Sequence, residues 1–135
     1  MIEAAELKDG EHVYDLGCGD GRILIAAQRA KKVHVVGFEL APLVYLLARV
    51  RLWAAKCRAQ LHLKSFYKAQ LQNADVIFCY LFPEVMEKLR EKFFAECKPG
   101  TRIISHTFRM HGVEPYQVFP QDKKTGMPSI YVYKI

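Results

Sequence analysis

The chain has 135 residues, of which 51% are hydrophobic and 25% charged, a composition that predicts one compact soluble domain spanning residues 1–135. No apolar run approaches the ~20 residues of a membrane span, and the N-terminus lacks the layout of a signal peptide. The four cysteines form no C-x-x-C pair, which argues against a metal site and predicts a reducing, cytoplasmic location. The formal net charge of +6 is compatible with an acidic partner without identifying one.

The first half of the chain alternates strands and helices. We expect a short helix at 2–8, a strand at 12–16, a helix at 20–30 and a strand at 33–38. The next helix begins near Ala41, with Pro42 in its first turn, where a missing N–H costs little.

This helix carries apolar residues at helical spacing, which predicts a wide buried face that includes Trp53. The residues of that predicted face are Leu43, Leu46, Leu47, Val50, Trp53, Ala54 and Cys57. Its basic residues fall mostly elsewhere, and we interpret them as a solvated face before an RNA-binding patch.

In the second half we predict strands at 60–64 and 75–80, a helix from Pro83 that ends at Pro99-Gly100, and a strand at 102–108. Only seven residues, 109–115, precede the next strand at 116–119, too few for a crossover helix. A final strand at 129–134 completes an antiparallel pair. The alternation predicts an α/β, three-layer sandwich around a mostly parallel sheet.

The segment 13–22 holds the most informative motif. A buried strand that contains Asp15 ends in a glycine-rich turn, where Gly17, Gly19 and Gly21 stand at alternate positions before a helix. Glycines let a ligand approach the backbone closely, and the start of the helix favours an anionic group. Dinucleotide-binding folds need a glycine where this chain has Arg22.

The spacing G-x-G-x-G resembles instead the first motif of the class I S-adenosylmethionine-dependent methyltransferases. Glu39, at the end of the second strand, stands where that family has a carboxylate that accepts both ribose hydroxyls. The resemblance implies a Rossmann-like, doubly wound sheet of strand order 3-2-1-4-5-7-6, here with a reduced N-terminus and a missing late helix. The cofactor-binding set that it implies is Asp15, Gly17, Cys18, Gly19, Gly21, Glu39, Leu40, Ser65, Phe66 and Tyr80.

Within that set, Asp15 would receive the cofactor's ammonium group and the three glycines would lie beneath its methionine and ribose portions. Many class I members hold the adenine amino group with an acidic residue after the third strand. This chain has Ser65 and Phe66 near that position, so a hydroxyl and an aromatic ring replace the carboxylate.

Two further segments resemble a narrower branch. Residues 75–86 and 98–110 are similar to the small prokaryotic relatives of the mitochondrial lysine methyltransferases that modify the adenine nucleotide translocase and the ATP synthase c subunit. The resemblance implies a protein lysine N-methyltransferase. Tyr80, Pro83 and His106, at two strand ends, are then the candidate catalytic residues.

Methyl transfer is an in-line displacement that needs alignment and exclusion of water more than a strong base, which fits a chain without a catalytic triad. Two other functions stay open. The excess of basic over acidic residues is compatible with an RNA methyltransferase, although the chain lacks the Asn/Asp-Pro-Pro-aromatic motif used to methylate the amino groups of bases. The short N-terminus allows a non-catalytic cofactor-binding subunit of a methyltransferase complex. A homodimer through the exposed edge strands is a further expectation.

Overall fold

Seven strands form one sheet in the computed structural model, which describes residues 1–135. The strands are β1 (His12–Leu16), β2 (His34–Glu39), β3 (Ala59–Leu63), β4 (Val76–Cys79), β5 (Arg102–His106), β6 (Gln117–Phe119) and β7 (Ile130–Lys134). The helices are α1 (Ile2–Ala5), α2 (Arg22–Ala30), α3 (Pro42–Ala54) and α4 (Pro83–Glu96), with a 3₁₀ turn at Phe66–Lys68.

The strand order is β3-β2-β1-β4-β5-β7-β6, which confirms the predicted topology. The first five strands in this order are parallel, and β7 runs antiparallel between β5 and β6. No helix intervenes between β5 and β6, as expected from the short connection. The carboxyl ends of β1, β2, β4 and β5 therefore lie along one edge of the sheet.

Helices cover the sheet on both faces, which confirms the three-layer sandwich. One buried cluster joins α1, α2 and Leu52 of α3 to the sheet, and the other contains Met86, Leu89 and Phe93 of α4. All four residues of β4 are buried, as a central parallel strand requires. None of the helices is long and apolar enough to cross a membrane.

Helix α1 and strand β5 end earlier than predicted, in each case at a residue with a positive φ. Helix α1 stops at Ala5 rather than at residue 8, because Glu6 has φ 47°. Strand β5 stops at His106 rather than at residue 108, because Thr107 has φ 72°. A positive φ breaks the hydrogen-bond pattern of a helix or a strand, and periodicity does not reveal it.

The prediction of which side of α3 is buried is wrong. Ala48 and Leu52 are its buried residues, whereas Trp53 is 82% exposed and so is not a core residue. The other exposed members of the predicted face are Leu43, Leu46, Leu47, Val50 and Ala54. The helix is apolar nearly all round, and it packs beside the edge strand β3, so only one of its sides meets the sheet. Apolar spacing alone does not tell which side is covered.

Candidate functional site

The glycine loop joins β1 to α2. Gly17, Gly19 and Gly21 have φ values of 79°, 54° and 80°, in a region that residues with side chains rarely adopt. The N–H groups of Gly17 and Cys18 both donate to the carbonyl oxygen of Phe38 at 2.9 Å, which fixes the loop against the end of β2.

The surroundings of the three glycines differ. A Cβ added to Gly19 would meet nothing within 4 Å, so this residue borders open space. At Gly17 the added carbon would lie 3.3 Å from Leu81 Cδ2 and 3.8 Å from Phe66 Cε1. At Gly21 it would lie 3.3 Å from Leu52 Cγ, so this glycine lets α3 pack against the loop.

Glu39 ties the loop to the end of β2. One oxygen of its carboxylate accepts the Gly19 N–H at 3.1 Å, and the other accepts the N–H groups of Leu40 and Ala41 at 2.9 Å each. The predicted ribose-binding carboxylate is therefore within hydrogen-bond distance of the glycine motif. Three fixed donors hold it in place.

Asp15 lies beneath the loop and is 5% exposed. Its carboxylate receives no hydrogen bond from the protein, and its oxygens are not among the fully buried unpartnered atoms, so they reach solvent. Burial, together with the negative charges of Glu39 and Asp20, raises its pKa to about 7. This arrangement favours a cationic ligand group, because a nearby positive charge would stabilise the ionised carboxylate.

The start of α2 already holds an anion from the chain itself. The Asp20 carboxylate accepts the backbone N–H of Arg22 at 3.2 Å, and it also pairs with the side chains of Arg22 and Arg51. The side-chain hydrogen bond from Arg22 lowers the pKa of Asp20 to about 2. Sequence reasoning placed an external anion here and did not identify this pairing, which joins residues 31 positions apart.

Cys18 belongs to the predicted cofactor-binding set, but its thiol points toward the sheet. A Cβ at Gly37 would lie 2.9 Å from the Cys18 sulfur. Burial, with the charges of Asp15 and Glu39, raises the pKa of the thiol to about 12, so it stays neutral. Its backbone, held on Phe38, is the part of Cys18 that shapes the loop.

The 3₁₀ turn brings Phe66 to the glycine loop, next to Gly17. Ser65 caps this turn, since its hydroxyl accepts the Tyr67 N–H at 3.3 Å. Leu40, the last of the predicted neighbours on this side, is 64% exposed beside Glu39. The predicted cofactor-binding residues that follow β1, β2 and β3 thus lie near one another, at the carboxyl ends of these strands.

Tyr80 and His106 come together at the ends of β4 and β5. Their rings meet edge-to-face with centroids 4.5 Å apart. Tyr80 is 66% exposed, which excludes a core role for this ring. Burial lowers the pKa of His106, so the imidazole is neutral near pH 7, and its Nδ1 lies 2.9 Å from the Thr107 hydroxyl.

Pro83 is the first residue of α4. Its fixed φ suits the start of a helix, and its missing N–H breaks no helical hydrogen bond at this position. Sequence reasoning missed Thr107, whose φ of 72° is unusual for a β-branched residue and whose hydroxyl contacts the neighbouring His106. The Thr107 N–H donates to the Ser129 carbonyl at 2.8 Å, which holds this conformation. No sequence signal marks a positive φ at a threonine.

A cavity of about 600 Å³ beside His106 was also missed. It lies between α1 and the loop before β7, and most of its lining is apolar. The lining residues are Met1, Ile2, Glu3, Ala4, Ile23, His106, Phe119, Pro120, Met127, Pro128 and Ile130. These come from both ends of the chain, which is why local patterns do not predict the cavity.

Comparison with known proteins agrees with this geometry. Residues 15–117 match the family model described as the ANTKMT methyltransferase domain. A protein-lysine N-methyltransferase from Saccharolobus islandicus is 34% identical, over 100% of this chain and 86% of the relative. The chain belongs to the ANTKMT methyltransferase family. Membership of this family confirms the predicted methyltransferase activity and the predicted cofactor, S-adenosylmethionine.

Two other relatives place the chain within the family. The mouse adenine nucleotide translocase lysine N-methyltransferase is 32% identical over 90% of this chain, which spans 52% of the mouse protein's length. The crystal structure of an RNA methyltransferase from Salinibacter ruber, in complex with S-adenosyl-L-homocysteine, superposes with a TM-score of 0.91. It is 32% identical, and the match covers 99% of this chain and 86% of that one.

Proposed function

We propose that this chain transfers a methyl group from S-adenosylmethionine to the side-chain amine of a lysine in a protein substrate. The full-length similarity to a protein-lysine N-methyltransferase carries this proposal. The geometry supports it. The glycine loop borders open space beside the unpartnered Asp15 carboxylate, and Gly17 lies next to Leu81, the residue after the exposed Tyr80 ring that contacts His106.

The cofactor half of the site is the glycine loop with Asp15, Glu39 and the turn at Ser65 and Phe66. The Asp15 carboxylate would bind the cofactor's ammonium group, and Glu39 would accept one ribose hydroxyl while it holds the loop. The open space at Gly19 admits the ligand against the backbone, with Leu40 and the Phe66 ring beside the adenine.

The acceptor half consists of Tyr80, Pro83 and His106. When bound, the cofactor supplies a methyl group on a sulfonium centre. Pro83 sets the direction of the chain after β4, and the Tyr80 ring would hold the acceptor amine through its face or its hydroxyl. Because His106 is neutral, it adds no positive charge that would repel a lysine ammonium. Partial desolvation would lower the pKa of that ammonium and release its proton to water.

The acceptor class is tested by incubating the purified chain with methyl-labelled cofactor and a lysate. We expect label in protease-sensitive bands and, after acid hydrolysis, in methylated lysine. A Tyr80→Ala variant that binds the cofactor normally is the matched control and should give little label. Label confined to RNA or to small metabolites would reject the lysine proposal.

An RNA acceptor is the second candidate, supported by the name of the Salinibacter ruber relative and by the basic charge of the chain. RNA binding would weaken steeply with added salt, and label would then be ribonuclease-sensitive. A third reading, a cofactor-binding subunit without activity of its own, would be rejected by turnover of the isolated chain.

The cytoplasm is the proposed compartment, supported by four unpaired thiols. Fractionation of cells that express the tagged chain, with protease treatment of intact cells, tests this location.

A further inference from the structure

The solvent side of α3 is an unbroken apolar stripe. Its large side chains are between 53% and 84% exposed, with Leu43 the highest and Leu47 the lowest. The members of this α3 stripe are Leu43, Leu46, Leu47, Val50, Trp53 and Ala54. Isolated exposed apolar residues are ordinary on a protein surface, but a continuous stripe along a whole helix marks a contact surface.

Helical geometry places a positive charge on each border of the stripe. At about 100° per residue, the stripe spans an arc of roughly 120°. On the same projection Arg49 lies beyond one border and Arg51 beyond the other. Arg51 pairs with Asp20, whereas Arg49 forms no ion pair. The buried side, centred on Ala48 and Leu52, lies opposite.

The net charge of the chain comes from the sequence segment that contains this helix. Residues 40–74 contain no aspartate or glutamate, and the rest of the chain has equal numbers of acidic and basic residues. The whole net charge of +6 therefore resides in this segment. Its basic residues are Arg49, Arg51, Lys56, Arg58, Lys64 and Lys68.

We propose that α3 binds this protein to the surface of a membrane that contains anionic phospholipid. Apolar side chains and a tryptophan would enter the boundary between headgroups and acyl chains, while the unpaired Arg49 at the border of the stripe stays at the phosphates. Attraction between the basic segment and an anionic leaflet strengthens the binding. The helix lies in the plane of the surface and does not span it.

Two other occupants fit the surface less well. A second copy of this chain, docked by the same stripe, would bring two segments without acidic residues together, and like charges would oppose the contact. A nucleic acid would pair with the arginines but would leave the aliphatic side chains of the stripe without an apolar partner.

Trp53 makes the proposal directly measurable, because it is the only tryptophan of the chain and is exposed to water. We expect its fluorescence to shift to shorter wavelength when vesicles of phosphatidylcholine with about one-third phosphatidylglycerol are added. Pure phosphatidylcholine vesicles should give a much smaller shift. Raising the salt from roughly 0.1 to 0.5 M should weaken the binding.

Substitutions separate the apolar contribution to vesicle binding from the electrostatic one. Replacing Leu46 and Leu47 by serine should lower the vesicle partition coefficient about 100-fold or more, since each leucine contributes about 1.5–3 kcal/mol when buried. Replacing Arg49 and Lys56 by glutamine should lower it about 30-fold, from about 1 kcal/mol for each charge. Both variants keep Trp53 as the reporter.

Matched controls lie on the other face of the sheet. Phe94→Ser removes an apolar side chain of α4 that is 53% exposed, and Lys88→Gln removes a charge from the same helix. Both should partition like the unmodified chain. Cofactor binding by each variant, measured without vesicles, verifies that it is folded.

Three outcomes would overturn the proposal. One is an unshifted Trp53 spectrum with anionic vesicles. Another is a doubled molecular mass in light scattering, with Trp53 already shifted in the absence of lipid, which would assign the stripe to a second copy. The third is salt-sensitive RNA binding that the Arg49→Gln and Lys56→Gln changes weaken while vesicle binding is absent.

Discussion

The two halves of the site are held by different forces. In the cofactor half, backbone N–H groups bind the Glu39 carboxylate and the Phe38 carbonyl, each at 2.9–3.1 Å. In and beside the acceptor half, an exposed ring lies against a half-buried one in each of two pairs. Tyr80 contacts His106, and the centroid of the Phe82 ring lies 6.0 Å from that of Phe108. Hydrogen bonds from fixed donors require one geometry, whereas ring contacts tolerate rearrangement. We infer that the cofactor half is formed before binding and that the acceptor half adapts to its substrate.

The largest effect should come from breaking the hydrogen bonds of the cofactor half. Glu39→Ala removes three backbone contacts and the proposed ribose contact. We expect a loss of about 1.5–3 kcal/mol in cofactor binding, measured by calorimetry. Glu84→Ala, at the first turn of α4, is the carboxylate control and should change the affinity little. Equal affinities for Glu39→Ala and the unmodified chain would contradict the proposed ribose site.

Asp15 should make the cofactor half sensitive to pH. Folded Asp15 keeps its proton up to about pH 7, whereas the unfolded residue loses it near its ordinary pKa of 3.8. The folded chain therefore binds more protons between these pH values, and its stability falls as the pH rises through that window. Asp15→Asn should raise the free energy of unfolding by about 1–3 kcal/mol at pH 8, and by less at pH 5. Urea unfolding at the two pH values measures this.

The same residue links cofactor binding to protons. If the cofactor's cationic group pairs with ionised Asp15, the affinity should rise with pH between about 5.5 and 7 and level off above. Calorimetry in two buffers of different ionisation enthalpy would show the proton released on binding. An Asp15→Asn variant that keeps the same pH dependence would assign it to another group.

Tyr80 tests the division between the cofactor half and the acceptor half, because it is predicted both as a cofactor-binding residue and as a catalytic residue. We expect Tyr80→Ala to lower kcat/KM for methyl transfer about tenfold and to change the Kd of S-adenosylhomocysteine less than about threefold. Tyr80→Phe keeps the ring contact with His106 and should retain more activity. Equal losses in Kd and in kcat/KM would place Tyr80 in the cofactor half.

The smallest effect concerns backbone strain. Thr107→Gly should relieve the cost of a positive φ at a β-branched residue, about 1 kcal/mol, and lose part of this gain through the flexibility of glycine in the unfolded chain. Lys56→Gly, at a residue with φ 55° away from the site, is the matched control for stability. Thr107→Gly alone should lower methyl transfer, because His106 loses its hydroxyl partner.

The sequence predicted well wherever one local pattern determines the structure. Alternating strands and helices predict the element order, and the resemblance to a family predicts the strand order that the sheet has. The glycine spacing and Glu39 predict neighbours that the structure brings within hydrogen-bond distance. The roles of these residues toward the ligand stay predictions.

Other features depend on contacts that no local pattern encodes. Periodicity marks α3 as apolar but not which side the sheet covers, so the expected burial of Leu43 and Trp53 is wrong. The pairing of Asp20 with Arg51 and the cavity beside His106 join distant segments. Thr107 adopts its positive φ because Ser129 binds its N–H, which is a tertiary contact.

Glu39 has consequences for how a nucleoside is recognised. A carboxylate offers about four acceptor positions, and backbone donors already take three of them, two on one oxygen and one on the other. One acceptor position of Glu39 remains. The two hydroxyls of a ribose can therefore donate only one hydrogen bond to it, unless the hydrogen bond from the Gly19 N–H breaks. We therefore expect unequal penalties for the 2′-deoxy and 3′-deoxy analogues, with one sugar hydroxyl bearing most of the discrimination.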